Sequence, residues 1–286
     1  MDKSKISWTD ATWNFIVGCS RVSPGCEHCY AERLALRYGW STKPWSAQNA
    51  KENVIIKENK LELPLKWKEP RRIFVNSLSD LFHEQVPDVI IDRAFAVMAL
   101  CPQHTFQILT KRPMRMLEYF SAGDDLWGER WVEPQMELVG ECEPTVFPLR
   151  NVWLGVSVED QRRADERIPL LLQTPAAVRF LSCEPLLGEI DLLYQRDYLQ
   201  EREHGYYDED TGDPKYYWEQ DIHWVIVGGE SGPNFRPMNL DWARSIRDQC
   251  VAADVPFFFK QQSGIRSEMN PTLDGVEWHQ YPKEDE

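Results

Sequence analysis

Cations are scarce in this chain: 32 Lys and Arg stand against 46 Asp and Glu, a formal charge of −14. Broad, sequence-independent binding of nucleic acid depends on clustered cations and is disfavoured. A local basic groove is still compatible with Arg71-Arg72, with Lys111-Arg112 and Arg115, and with Arg162-Arg163, although ordinary solvated charge explains each pair equally well. Long hydrophobic runs are missing too. The best candidate, Val89 to Leu100, is broken by Asp92 and Arg93, which excludes a membrane-spanning helix there. No apolar core follows Met1-Asp-Lys-Ser-Lys5, so a secretory signal is not expected and the expected compartment is the cytoplasm. The chain has no Ser/His/Asp order of a hydrolase, no phosphate-binding Gly-Lys-Ser loop, no His-Glu-x-x-His helix and no tandem repeat.

What is present is a group of cysteines. Three of the seven, Cys19, Cys26 and Cys29, fall within Gly18-Cys-Ser-Arg-Val-Ser-Pro-Gly-Cys-Glu-His-Cys-Tyr-Ala31. An odd and uneven set favours metal or cluster ligation in a reducing compartment over a disulfide framework. Three thiolates in one short loop suit a soft metal or an iron–sulfur cluster. A closed structural zinc site takes four protein ligands, so three cysteines leave one position open. A zinc site built on the same three cysteines, structural or associated with nucleic acid, is the alternative, and His28 or His83 would be its fourth ligand. Cys101, Cys142, Cys183 and Cys250 read as small buried hydrophobes.

Short apolar runs recur along the chain: Phe15–Val17, Ile73–Val75, Phe106–Leu109, Val152–Leu154, Val178–Leu181, Trp224–Val227 and Phe257–Phe259. Their β-branched and aromatic content predicts buried strands. Amphipathic patterns at 31–37, 87–100, 113–120, 160–172 and 240–253 predict helices between them. Repeated βα units predict an α/β fold with a parallel sheet, a partial or complete (βα) TIM-like barrel, with an open doubly wound sheet as the alternative. One domain over 1–286 is expected, with insertions at 121–150 and 191–221, the second acidic and tyrosine-rich. The last residues, 282–286, are expected to be disordered.

Each strand candidate after the first is followed by residues of functional type. They are Asn76-Ser-Leu-Ser-Asp80, Thr110-Lys-Arg112, Ser157-Val-Glu-Asp160, Ser182-Cys-Glu184, Gly228-Gly-Glu-Ser-Gly232 and Lys260-Gln261. In a parallel barrel such positions converge on the C-terminal face, where active sites lie. Simple capping explains Asp80, Asp160 and Ser231 about as well. An interior Lys and Glu can equally form a structural ion pair.

Gly25-Cys-Glu-His-Cys-Tyr-Ala31 resembles the cysteine loop of radical S-adenosylmethionine enzymes, particularly those related to spore photoproduct lyase. Their spacing is Cys-x3-Cys-x2-Cys, whereas this chain has Cys-x6-Cys-x2-Cys. Over nearly its whole length the chain resembles the phage-associated three-Cys-motif proteins. The resemblance rests on Trp8–Asn14, Gly18–Ala31, Asn76–Phe82, Leu109–Pro113, Leu154–Glu159, Leu181–Pro185, Val227–Gly232 and Phe258–Gln261. It implies a radical-SAM-like barrel in which Cys19, Cys26 and Cys29 hold a [4Fe-4S] cluster and S-adenosylmethionine is the second cofactor. By position, Ser77, Ser79 and Asp80 would then take the amino group of S-adenosylmethionine. Ser157 and Glu159 would take its ribose or carboxylate. Lys111, Arg112, Glu184, Glu230 and Lys260 would face the substrate. The partners implied are a nucleotide or nucleic-acid substrate, a reductant such as flavodoxin or ferredoxin, and a protein from a neighbouring gene, with no membrane.

Overall fold

A computed structural model describes residues 4–121, 127–140, 147–193, 197–207, 214–268 and 270–283. Along the chain, β1 (Ala11–Trp13) and β2 (Ile16–Val17) precede the cysteine loop and α1 (Tyr30–Arg37). Next come α2 (Ala50–Asn53), β3 (Ile55–Ile56), β4 (Arg72–Val75), α3 (Asp88–Ala99), β5 (Thr105–Thr110), α4 (Pro113–Ser121) and α5 (Trp127–Val139). The second half holds β6 (Val152–Ser157), α6 (Gln161–Leu172), β7 (Val178–Cys183), β8 (Glu201–Tyr207), β9 (Pro214–Gln220), β10 (Trp224–Gly228), α7 (Leu240–Ala252) and β11 (Phe257–Gln261).

Seven strands form one parallel sheet in the order β1-β4-β5-β6-β7-β10-β11. Chain order is never reversed across this sheet. A doubly wound fold requires such a reversal at its switch point, so that alternative is excluded and the sheet is a partial (βα) barrel. Strand residues alternate between two buried faces, which explains the continuous apolar runs. One face, including Ile73, Val75, Phe106, Ile108, Leu154, Val156, Leu181, Val225 and Phe259, joins the helices in the main core. α3 meets it with Ile90, Ile91, Ala94, Phe95 and Met98, a helical spacing of apolar residues. Local chemistry fixes helix starts: the Asp160 carboxylate caps α6 by accepting from Arg163 N at 2.9 Å, and Asn239 caps α7.

One expectation about elements needs correction. Phe15–Val17 does not enter the main sheet. The first sheet strand is β1, while β2 pairs antiparallel with β3 across the barrel mouth. Asn76, at φ 56°, turns the chain after β4 and accepts from Ile16 N at 3.0 Å, which draws this apolar run over the sheet end. The insertion at 121–150 contains α5. Trp131 anchors that helix on α3 by stacking against Phe95 at 5.0 Å and 9°. The other insertion contains an antiparallel hairpin of β8 and β9. Residues 208–213, Cys142 and the last three residues lie outside those described. No helix among the described residues is long and apolar enough to cross a membrane.

Candidate functional site

The concave face of the sheet is filled from below and open above. Phe74, Trp153, Phe180, Trp224, Ile226 and Phe258 pack with Trp8 into an aromatic plug, which Tyr281 covers. Gly155 permits this packing, since a Cβ there would lie 2.6 Å from the Phe180 ring. Further along the same strands, Lys111, Ser157, Ser182, Glu184, Lys260 and Gln261 reach a cavity of about 200 Å³. One liquid water occupies about 30 Å³, so the cavity has room for a compact ligand. Cys19, Cys26, Cys29 and His28 line the same cavity.

The loop carrying the cysteines is clamped from three strand ends. At its start Gly18 adopts φ +98° and lies so close to Asn53 that a Cβ would collide with that carbonyl oxygen. Gly18 N donates to Leu78 O at 3.0 Å, and Ser79 Oγ donates to Gly18 O at 2.6 Å. Asp80 follows β4 and accepts from Thr110 Oγ1 at 2.7 Å, Lys111 N at 3.0 Å and Arg112 Nη1 at 3.3 Å. Arg112 in turn touches Cys19 Sγ at 3.4 Å and Ser20 O at 3.0 Å. At the middle of the loop, Gly25 N donates to Glu159 Oε1 at 3.2 Å, and Arg167 holds the other Glu159 oxygen at 2.9 Å. A third clamp comes from beyond β10. Glu230 accepts from His28 Nδ1 at 2.9 Å and from Arg236 Nη2 at 2.6 Å, while Arg236 also reaches Pro24 O and the Glu27 carboxylate. Cys29 then stands at the N-terminus of α1.

Burial pushes the Cys19 thiol up to about 12; Arg112 opposes the shift, while Asp80, Cys26 and Cys29 add to it. Cys29 is raised by burial as well, against hydrogen bonds from the Glu32 and Ala31 amides at the helix start. The three thiols therefore act on one another electrostatically, and two of them already have cationic or amide donors suited to a thiolate. Burial works to raise Glu159, but Lys111, Arg167 and hydrogen bonds from Ser23 and Gly25 outweigh it and hold the carboxyl below its ordinary value. Burial also works against the Glu230 carboxylate, yet hydrogen bonds from Arg236 and His28 bring it down to about 2.

This geometry divides the residues singled out from sequence into two groups. Lys111, Ser157, Glu184 and Lys260 line the cavity. Glu184 and Lys260 form the ion pair foreseen as an option, at 2.8 Å, and Gly228 makes room for it because a Cβ there would lie 2.7 Å from Glu184 Oε1. Ser77, Ser79, Asp80 and Glu230 also border the cavity, but their side chains bond to the protein. Ser77 Oγ donates to Asn14 Oδ1 at 3.1 Å, and the other three anchor the loop. Glu159 is fully buried behind Gly25 and is not among the residues lining the cavity. Arg112, expected to face a substrate, also borders the cavity, with its guanidinium bonded to the cysteine loop. Arg236 and Arg167 carried no sequence signal, being single arginines outside any motif.

Of the basic pairs, Lys111 and Arg112 border the cavity, and most of the arginines have acidic partners. Arg72 pairs with Asp10, Arg112 with Asp80 and Glu84, Arg162 with Glu166 and Arg163 with Asp160. Cys101, Cys183 and Cys250 are buried free thiols, as expected.

Cys19, Cys26 and Cys29 are the residues present that could hold a thiolate-bound group. All three loop cysteines are free and border one cavity. Among the described residues, no three His, Cys, Asp or Glu side chains draw together as a group suited to one metal ion. His83 has no ring nitrogen left for zinc, because Nδ1 accepts from Gln85 N at 3.0 Å and Nε2 meets Ser20 Oγ at 2.9 Å. His28 commits only Nδ1, to Glu230.

No curated protein and no solved structure matches this chain. A family model described as a protein of unknown function, DUF5131, matches residues 3–282, and the chain belongs to that family.

Proposed function

We propose that this protein is an iron–sulfur enzyme of the radical S-adenosylmethionine type, with Cys19, Cys26 and Cys29 as the ligands of a [4Fe-4S] cluster. The observation that carries this reading is the presence of three free cysteines on one wall of a cavity at the C-terminal end of a partial (βα) barrel. When bound, the cluster and S-adenosylmethionine supply one-electron cleavage of the sulfonium, yielding methionine and a 5′-deoxyadenosyl radical that takes a hydrogen atom from substrate. The chain's part is to hold and shield these groups. Arg112 at Cys19 and the α1 N-terminal amides at Cys29 supply donors that oppose the rise burial imposes on both thiols. Ser157 and Lys111 reach the cavity from neighbouring strand ends and are the groups best suited to an incoming polar ligand. Glu184 and Lys260 are the groups proposed to meet the substrate.

The wider features of the resemblance belong to the same proposal: a phage-associated origin, a nucleotide or nucleic-acid substrate, a flavodoxin or ferredoxin reductant, a gene-neighbour partner and a cytoplasmic setting. Protein purified without oxygen is expected to be brown with roughly four irons per chain. With dithionite and S-adenosylmethionine it is expected to release 5′-deoxyadenosine. An intact cluster without that product would remove the radical step.

One observation favours a second reading, a zinc site formed by the three loop cysteines and His28. The Glu230 carboxylate on His28 Nδ1 is the outer partner that metal-bound histidines usually have. Colourless protein with one zinc per chain would establish it over the first.

A further inference from the structure

We propose that Arg112 is a positioning residue for the first cysteine and raises the reduction potential of the cluster held there. The inference rests on the iron–sulfur reading above and goes beyond it. All three guanidinium nitrogens are engaged, and Arg112 is only 6% exposed. Nε spans the two Glu84 oxygens at 3.0 and 3.1 Å. Nη1 lies 3.4 Å from Cys19 Sγ and 3.3 Å from Asp80 Oδ2, and Nη2 donates to both the carbonyl and the hydroxyl of Ser20 at 3.0 and 2.9 Å.

Asp80 does not depend on this arginine for its place. Thr110 Oγ1 and the backbone amides of Phe82 and Lys111 already hold its carboxylate. Glu84 is a largely exposed residue whose side chain is 58% accessible. What Arg112 supplies is a donor to Cys19 Sγ and to Ser20 O, with His83 sharing the Ser20 hydroxyl, together with a buried positive charge against a ligand sulfur. A fork of donors is required to serve sulfur, carbonyl and hydroxyl at once, which a lysine ammonium cannot reproduce in the same plane.

Hydrogen bonds to cluster sulfurs and nearby charge set iron–sulfur potentials. A reduced cluster carries one more negative charge, so the guanidinium stabilises the reduced state more than the oxidised one. Glu84 works the other way by partly neutralising the guanidinium from the solvent side. The two residues therefore make opposite predictions, which a purely structural role for Arg112 does not.

The test is an anaerobic redox titration of the full chain, followed by electron paramagnetic resonance, with iron content measured on every sample. Arg112→Gln is expected to shift the one-electron equilibrium at least tenfold toward the oxidised cluster, about 59 mV more negative. Arg112→Lys should recover part of that shift, and Glu84→Gln should move the potential a few-fold in the opposite direction. Iron-replete Arg112→Gln with the parent potential would overturn the inference. Should that variant fail to hold a cluster, Glu84→Gln decides: an unchanged potential overturns the inference, and a rise upholds it. Parent protein without iron would instead defeat the iron–sulfur reading itself, a distinct result.

Discussion

Replacing Glu230 by Gln removes a charge without changing shape, at the point where the clamp on the cysteine loop is densest. The carboxylate accepts from His28 Nδ1, Arg236 N, Arg236 Nε and Arg236 Nη2 at 2.9, 2.8, 3.1 and 2.6 Å. These bonds hold its pKa at about 2 against an ordinary 4.5. A difference of that size corresponds to about 3 kcal/mol at most, since a tenfold change in proton affinity is about 1.4 kcal/mol. Because the Arg236 side chain is 28% exposed, solvent screening reduces the expected loss to about 2 kcal/mol. The sign follows from linkage. The folded value is depressed, so the stabilisation is complete above the unfolded value and disappears as pH falls from about 4.5 to about 2. Urea unfolding of both proteins should therefore show a gap at pH 7 that has fallen below half by about pH 3. Trapping of Cys26 and Cys29 by a thiol reagent at pH 7 should be faster in the variant, because the loop has lost its third clamp. A gap of equal size at both pH values, or none at pH 7, would refute the assignment of Glu230 as a charged anchor.

Two further outcomes follow from the packing below the loop and the charges above it. Trp224→Ala, which empties the centre of the aromatic plug, should cost about 3–5 kcal/mol in urea unfolding. A loss under about 1 kcal/mol would mean that the concave face is not packed as described. Lys260→Met leaves the 13%-exposed Glu184 side chain without its cation and should destabilise the fold by about 1–3 kcal/mol, whereas the double variant with Glu184→Gln should recover most of that loss. A double variant no more stable than Lys260→Met would exclude a direct pair.

The sheet was readable because six of its seven strands announce themselves as short, doubly buried apolar runs. The seventh, Ala11-Thr-Trp13, was not readable: three residues with a threonine in the middle carry no such signal. Next to it the more apolar Phe15–Val17 looks like a better strand, but its environment is set by Asn76 and Asn53, which lie far along the chain. α5 was hidden for a different reason: among its described side chains Trp131, packed on Phe95 and Phe147, is the fully buried apolar one and Leu138 is only partly buried, so no full apolar stripe marks it. At the site, the cysteines and the polar strand ends were legible as residue types. Their roles were not, because each depends on a partner distant in sequence: Glu159 on Gly25, Glu230 on His28, Arg112 on Cys19.

These pairings follow a logic that the strand-end pattern alone conceals. A loop with a tight glycine entry and three sulfurs has little apolar surface of its own with which to hold its shape. Carboxylates at strand ends supply the missing constraint, since Asp80, Glu159 and Glu230 each rise from a different strand and each is charge-compensated by an arginine. Burying such charges is costly and is offset only by close pairing and further hydrogen bonds, and loss of one partner leaves an uncompensated buried charge. It follows that an acidic residue at the end of a barrel strand is not by itself evidence of chemistry in this fold. Three of the four strand-end acids bordering the site are spoken for by the loop. Glu184 is the one whose oxygens face the cavity with Ser182 and Lys260 beside them. The polar groups Ser182, Glu184 and Lys260 therefore gather at the β7 and β11 ends of the cavity.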